Sequence, residues 1–333
     1  MTSTSAAAAQ ADSSDPEHFR QTAAAIEAQV QRVIVGQRDA VRGVLICLIA
    51  DGHALLEGAP GLGKTTMVRA FAQALNLSSG RVQFTPDLMP ADITGTTIFT
   101  DDPVEGLRSQ FHRGPVFSSI LLADEINRAS PRTQSALLEA MQEATVTVAG
   151  ETHALPRPFC VLATQNPVEM HGTYPLPEAQ LDRFLLKLQF GFPSSSELLE
   201  IMAGDREDSL EVDNVADAGQ LLAMHQLAKQ VPVATSVLEH VGALILALQP
   251  SPEAPDIVRE YVRLGPSPRG ALALTTAGRI TALLEGRHNL ALDDIRAVAL
   301  PALRHRVALN FDAEREAVDV ETVISGALDR LAA

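Results

Sequence analysis

The chain is 333 residues long, 46% apolar and 20% charged, which suits a folded protein with room for two domains and excludes a disordered one. With 26 Lys and Arg against 41 Asp and Glu, its formal net charge of −15 gives an overall field that repels nucleic acid and anionic lipid. The two cysteines, Cys47 and Cys160, lie in apolar runs, which excludes a disulfide or zinc framework and points to a reducing, cytosolic compartment; 4% aromatics and no Trp leave few platforms for stacking a single strand.

In chain order, residues 1–15 carry Ser, Thr and Ala without a periodic apolar face and are expected to form a mobile tail, with order beginning near Pro16. Ile26, Val30, Val33 and Ile34 recur at helical spacing over residues 24–35, and a second helix is predicted over 38–50 after the turn Val35-Gly36-Gln37. A short apolar strand at 53–57 runs into a glycine-rich turn and a helix at 64–75, the opening of a βαβ unit. Further strands are predicted at 81–84, 120–123, 159–163 and 185–189. This alternation predicts an α/β fold with a parallel sheet covered on both faces. Two insertions read as hairpins, one over 93–116 around Asp101-Asp102-Pro103 and one over 146–153 around Ala149-Gly150.

After Phe192-Pro193 the character changes. Ser194-Ser195-Ser196 opens a helix, and Glu200, Asp205, Glu207, Asp208, Glu211, Asp213 and Asp217, with only Arg206 among them, read as a solvated acidic face. The remainder has helical periodicity broken at Pro232, 250–255, 265–268 and Pro301, so a small helical domain is expected over 194–333, following a core over 16–193. No run of apolar residues approaches the roughly 18 to 20 that a membrane helix needs, and the N-terminus has no charged segment leading into an apolar one.

Three stretches carry chemistry. Gly58-Ala59-Pro60-Gly61-Leu62-Gly63-Lys64-Thr65 matches G-x-x-x-x-G-K-[ST] between a strand and a helix. Its glycines let backbone N–H groups turn toward phosphates, Lys64 neutralises them, and the Thr65 hydroxyl suits Mg²⁺ beside Thr66. The strand Ile120-Leu121-Leu122-Ala123 ends in Asp124-Glu125, which would place one carboxylate on the magnesium and the other beside the attacking water. A third strand ends in Thr164-Gln165-Asn166-Pro167, where Asn166 would orient that water, or else simply form an Asn-Pro turn.

In this order, and with Leu181-Asp182-Arg183-Phe184 and Gly265-Pro266-Ser267-Pro268-Arg269-Gly270, these stretches resemble an AAA+ ATPase, and within that class the MoxR family. Family-like signatures include Phe84-Thr85-Pro86-Asp87-Leu88-Met89-Pro90, Asp124-Glu125-Ile126-Asn127-Arg128-Ala129 and the long run from Gly172 to Phe184, and the similarity spans about residues 34–306. The resemblance implies an AAA+ core with a helix-2 insert and a hairpin before sensor 1, followed by a helical lid. It makes Lys64, Thr65 and Asp124 ligands of phosphate and Mg²⁺ with ATP, Glu125 the catalytic base, Asn166 sensor 1 and Arg269 sensor 2. Arg183 matches an arginine finger acting on ATP in a neighbouring subunit, Val35 and Gly36 match an adenine-side turn, and Arg128 and Arg132 either face a neighbour or are ordinary surface arginines.

Implied by the same resemblance are a homo-oligomer, a hexamer, and a protein client such as a von Willebrand factor A domain protein or an enzyme being fitted with a metal or cofactor. The alternatives are a nucleic-acid motor of the helix-2-insert class, a slow nucleotide-controlled binding scaffold and a small-molecule kinase. Hairpin charge speaks against the motor: Arg108, His112 and Arg113 stand against Asp92, Asp101, Asp102 and Glu105 in the first insertion, and His153 against Glu143 and Glu151 in the second.

Overall fold

The computed structural model describes residues 15–102, 106–165, 173–203 and 212–332; the expected tail at 1–14, Asn166 and the middle of the acidic run lie outside the described residues. The Asp15 side chain accepts from the Glu17 N–H and Pro16 takes the first helical position, so α1 runs Pro16–Gln31, not 24–35 as its apolar period predicts. Val33 and Ile34 still pack on the core, but from a turn. Gly36 and Gln37, at φ 67° and 53°, turn the chain into α2, Arg38–Ile49.

The order then runs β1 Ala54–Glu57, α3 Lys64–Ala74, β2 Ser79–Gln83, α4 Pro90–Thr94, β3 Gly95–Asp102, β4 Gly106–Arg113, β5 Ile120–Asp124 and α5 Pro131–Glu143. β6 Thr145–Val148, β7 Glu151–Ala154, β8 Cys160–Gln165, α6 Glu178–Leu181 and β9 Leu186–Gln189 follow. The five-stranded sheet has the order β2-β5-β8-β1-β9, every pair parallel. Its strands read as unbroken apolar runs because both faces are covered. Ala54, Leu56, Ile120, Leu122, Cys160 and Leu162 enter one apolar cluster; Leu55, Leu121, Ala123, Val161 and Ala163 enter the other, which α5 helps to cover. Both cysteines are buried, as expected. Buried His53 ties the layers together: its Nδ1 accepts from the Val161 N–H at 3.0 Å, and its Nε2 lies 3.0 Å from the Met141 carbonyl, a geometry that suits a neutral imidazole.

Both insertions are hairpins, β3 with β4 and β6 with β7. The second turns on Ala149 and Gly150, both at positive φ, as a two-residue turn requires. Phe111 of the first stacks on His153 of the second at 4.1 Å between ring centroids.

Beyond residue 194 the chain is helical: α7 Ser195–Ala203, α8 Ala218–Gln230, α9 Thr235–Ala247, α10 Asp256–Tyr261, α11 Pro268–Leu284, α12 Leu292–Leu303, α13 Phe311–Arg315 and α14 Val320–Ala332. A two-stranded pair, β10 Val262–Leu264 with β11 Ala308–Leu309, was not foreseen. Three of the predicted breaks separate helices, but Pro301 sits inside α12. Its missing N–H falls in the last turn, and the burial of Val298, Ala299, Ala302 and Leu303 outweighs the lost hydrogen bond. Where it is described the acidic face is solvated, as expected: Asp213, 72% exposed, pairs with Arg32 at 2.9 Å, and exposed Asp217 caps α8 through the Gln220 N–H. The apolar cluster on the α1 side of the sheet continues into α11 and α12, so the helical part is packed on the core. No helix among the described residues is long and apolar enough to cross a membrane.

Candidate functional site

The glycine-rich turn leaves the carboxyl end of β1 and enters α3, where ligands of open parallel sheets bind. Gly58, Gly61 and Gly63 sit at φ 154°, 82° and 87°. A Cβ on Gly58 would lie 2.7 Å from the Phe190 carbonyl oxygen, so that position is closed to any side chain; at Gly61 a Cβ would meet nothing within 4 Å, which leaves open space over the turn. Lys64 folds back, its Nζ donating to the Gly58 carbonyl at 2.6 Å and lying 5.8 Å from the centre of the Phe190 ring. Burial pushes the pKa of its ammonium down, while the carboxylates of Asp124, Glu57 and Glu125 pull it up. Glu57 is itself paired with Lys187 at 2.8 Å. Thr65 and Thr66 occupy the first turn of α3 beside Lys64.

Asp124 ends β5, and Glu125 follows in the left-handed region at φ 57°, a strained setting for a residue with a side chain. Three residues not singled out from the sequence hold this pair. The buried Thr164 hydroxyl accepts from the Glu125 N–H at 2.8 Å and donates to Asp124 Oδ1 at 2.7 Å. Arg81 Nη2 donates to Asp124 Oδ2 at 2.7 Å and to Gln83 Oε1 at 3.1 Å, which turns the Gln83 amide nitrogen onto Glu125 Oε2 at 2.9 Å. Arg128 reaches the same oxygen at 2.8 Å, giving one of the undecided arginines a partner within its own chain. Each acid of the pair is therefore neutralised by a guanidinium.

The turn at Val35 and Gly36 is closed by the segment leading into α7. Gln37 Nε2 donates to the Gly191 carbonyl at 2.7 Å, and a Cβ on Gly36 would lie 2.6 Å from Glu197 Oε1.

A family model described as "ATPase family associated with various cellular activities (AAA)" matches residues 53–186, and a model for the AAA lid domain matches 254–326. The chain is 41% identical to Chaperone MoxR1 of Mycobacterium tuberculosis over 91% of its own length and 80% of that protein's. It is 43% identical to Uncharacterized protein YeaC of Bacillus subtilis, with 89% of each chain covered. A crystal structure from Cytophaga hutchinsonii superposes with a TM-score of 0.88 at 36% identity, covering 98% of each chain. The chain belongs to the MoxR family of AAA ATPases.

Three further arginines of this MoxR-family chain are candidates from the sequence. Arg183 rests on α5, its Nη1 donating to the Leu138 carbonyl, and lines a cavity of about 230 Å³ with Gln180, Glu139 and Glu143. Arg269 is exposed in the first turn of α11, where its N–H is capped by the Ser267 hydroxyl at 3.0 Å. Arg132 is exposed at the start of α5. Asn166 lies outside the described residues, immediately after β8.

The donors near the turn suit magnesium with a nucleotide. Thr65 and Asp124 offer hard oxygens, and no group of three or more His, Cys, Asp or Glu among the described residues forms an all-protein metal cage. Such a site matches magnesium's habit of keeping waters and phosphate oxygens in its shell.

Proposed function

We propose that this chain is a magnesium-dependent ATPase that works in the cytoplasm as a ring of six copies and spends hydrolysis on remodelling a protein partner. The observation that carries the ATPase part is the convergence of Lys64, Asp124 and Glu125 at the carboxyl ends of β1 and β5. Backbone N–H groups of residues 58–65 would hold the phosphates, and Lys64 Nζ would leave the Gly58 carbonyl for the β and γ phosphates. Thr65 and Asp124 would hold Mg²⁺, which, when bound, offsets phosphate charge. Glu125 accepts a proton from the water that attacks the γ phosphorus as the bond to the β-phosphate oxygen breaks, with Asn166 orienting that water. Val35 and Gly36 would face the adenine. Arg183 of one subunit would cancel charge on the phosphoryl group held by the next, an effect worth roughly 10³ to 10⁵ in rate in other NTPases. Arg269 would sense the nucleotide from the start of the lid.

The division into a core over 16–193 and a lid over 194–333 belongs to the same proposal. The name of the Chaperone MoxR1 relative supports the remodelling role. A von Willebrand factor A domain protein, or an enzyme awaiting its metal or cofactor, is the class of client we expect. A second reading, a nucleotide-controlled scaffold with slow turnover, is favoured by one observation: Glu125 is held by both Arg128 and Gln83.

Two measurements test the proposal. Glu125→Gln should keep ATP affinity and lose turnover, whereas Lys64→Ala should lose affinity. Turnover per protomer should rise steeply with protein concentration as shared sites assemble. Normal turnover by the glutamine variant would sink the assignment of the base.

A further inference from the structure

Arg306 is only 8% exposed, and all three of its guanidinium nitrogens donate. Nε donates to Asp182 Oδ1 at 2.7 Å, Nη1 to the Leu185 carbonyl at 3.1 Å and to the Ala302 carbonyl, and Nη2 to the carbonyls of Asp182 at 3.2 Å and Phe184 at 2.7 Å. The second oxygen of Asp182, Oδ2, accepts from the Ser267 hydroxyl at 2.7 Å. That same hydroxyl oxygen caps α11 at the Arg269 N–H. One carboxylate thus joins the segment before β9 to the turn that follows α12, through Arg306, and to the N-cap of α11, through Ser267. The bonds are buried and charged, so the segment cannot slide against α12 without leaving a guanidinium unpaired away from water.

Asp182 immediately precedes Arg183. The Arg183 Nε is buried without a hydrogen-bond partner among the described residues, while its Nη1 rests on α5.

We infer that Asp182 and Arg306 are positioning residues for Arg183: they clamp its segment to the lid, so that the angle of the lid sets where this subunit presents the guanidinium to its neighbour. Through Ser267 the clamp also reaches α11, whose first turn holds Arg269, so nucleotide sensed by the lid of one subunit is transmitted to the site of the next. This inference rests on Arg183 acting between subunits, as proposed above.

The test uses Asp182→Asn and Arg306→Lys in the full chain; the lysine keeps a positive charge opposite Asp182 but cannot span both the carboxylate and the four carbonyls. Each variant is measured for fluorescent-nucleotide affinity and ATP turnover, alone and mixed in equal amounts with Glu125→Gln, which keeps nucleotide but not turnover. Arg183→Ala mixed with Glu125→Gln runs beside them. Alone, each variant should bind nucleotide within about twofold of wild type and lose turnover by about tenfold or more, a fraction of what an arginine finger supplies. In random mixtures about a quarter of head-to-tail interfaces pair an intact pocket with an intact finger-presenting subunit, so about a quarter of wild-type turnover should return. If Arg183→Ala is rescued and neither clamp variant is, their defect lies in their own pockets and the inference fails. Undiminished turnover in both clamp variants also overturns it. If Arg183→Ala itself is not rescued, the reading of Arg183 as acting between subunits falls first.

Discussion

Replacing Thr164 by Val preserves its shape and removes a hydroxyl that bridges the catalytic candidates. That residue is 2% exposed, and its hydroxyl accepts from the Glu125 N–H at 2.8 Å while donating to Asp124 Oδ1 at 2.7 Å. Valine leaves the Glu125 amide unsatisfied at a strained backbone position, at a cost of about 1–3 kcal/mol, and removes a bond to a carboxylate worth about 1.5–3 kcal/mol. Asp124 keeps Arg81 on its other oxygen, and its side chain is 19% exposed, so water recovers part of the second loss. The expected net destabilisation is about 2–4 kcal/mol. Thr164→Ser keeps the hydroxyl and loses one methyl, about 0.8 kcal/mol. Urea unfolding followed by helical circular dichroism separates the two, and ATP turnover on the same samples should fall for valine much more than for serine. A valine variant within about 0.5 kcal/mol of wild type, with unchanged turnover, would mean that the hydroxyl does not join Asp124 to Glu125.

Removing Arg81 should relieve a competitor for Asp124: in Arg81→Ala the magnesium concentration that half-saturates nucleotide binding should drop about two- to fivefold, as expected for a partly exposed ion pair, with magnesium-free nucleotide affinity unchanged. A loss of magnesium-free affinity would instead place Arg81 on the phosphates. Acid should destabilise the fold through two histidines. Burial lowers the pKa of His53, and burial with the nearby charge of Arg306 takes His305 well below its ordinary 6.5. As pH falls through about 6.5 the unfolded chain takes up protons that the folded chain refuses, so stability present above that pH is progressively lost below it. Glu27, whose pKa burial raises above 4.5, works in the opposite sense. Urea midpoints should therefore be lower at about pH 5.5 than at about pH 7.5; equal midpoints would show that the imidazoles are not held neutral.

Much of this was legible because local chemistry and fold agree. The glycine-rich turn and the apolar run ending in Asp124-Glu125 each carry their signal within about ten residues and stand where the alternation of elements puts them, and the two hairpins are insertions whose own turn and strand residues mark them. The failures share a cause in longer-range packing. The apolar period at 24–35 marked which residues face the core but not where the helix stops, because Val33 and Ile34 reach that core from a turn. Pro301 reads as a break to any local rule, and four buried neighbours keep it in α12. Asp213 is solvated as its setting suggests, but its partner Arg32 lies far away in the sequence, where no local pattern could show it.

The residues that restrain the acid pair show the limit most sharply. β2 and β5 are far apart in sequence, yet their parallel register sets Gln83 opposite Asp124 and Arg81 opposite Leu122. Side chains two apart on a strand share a face, so this register delivers Arg81 and Gln83 together to the side on which Asp124 and Glu125 are met. A shift of one residue would turn both away, and nothing in the local pattern of Ser79–Gln83 specifies the register. What specifies it is burial elsewhere: Val82 and Ala123, paired across the two strands, enter the same apolar cluster, while Arg81 and Gln83 take the opposite face. The apolar core thus decides which polar groups reach the acids. For that reason a change in the packing of the Val82 side chain should disturb the carboxylates of Asp124 and Glu125.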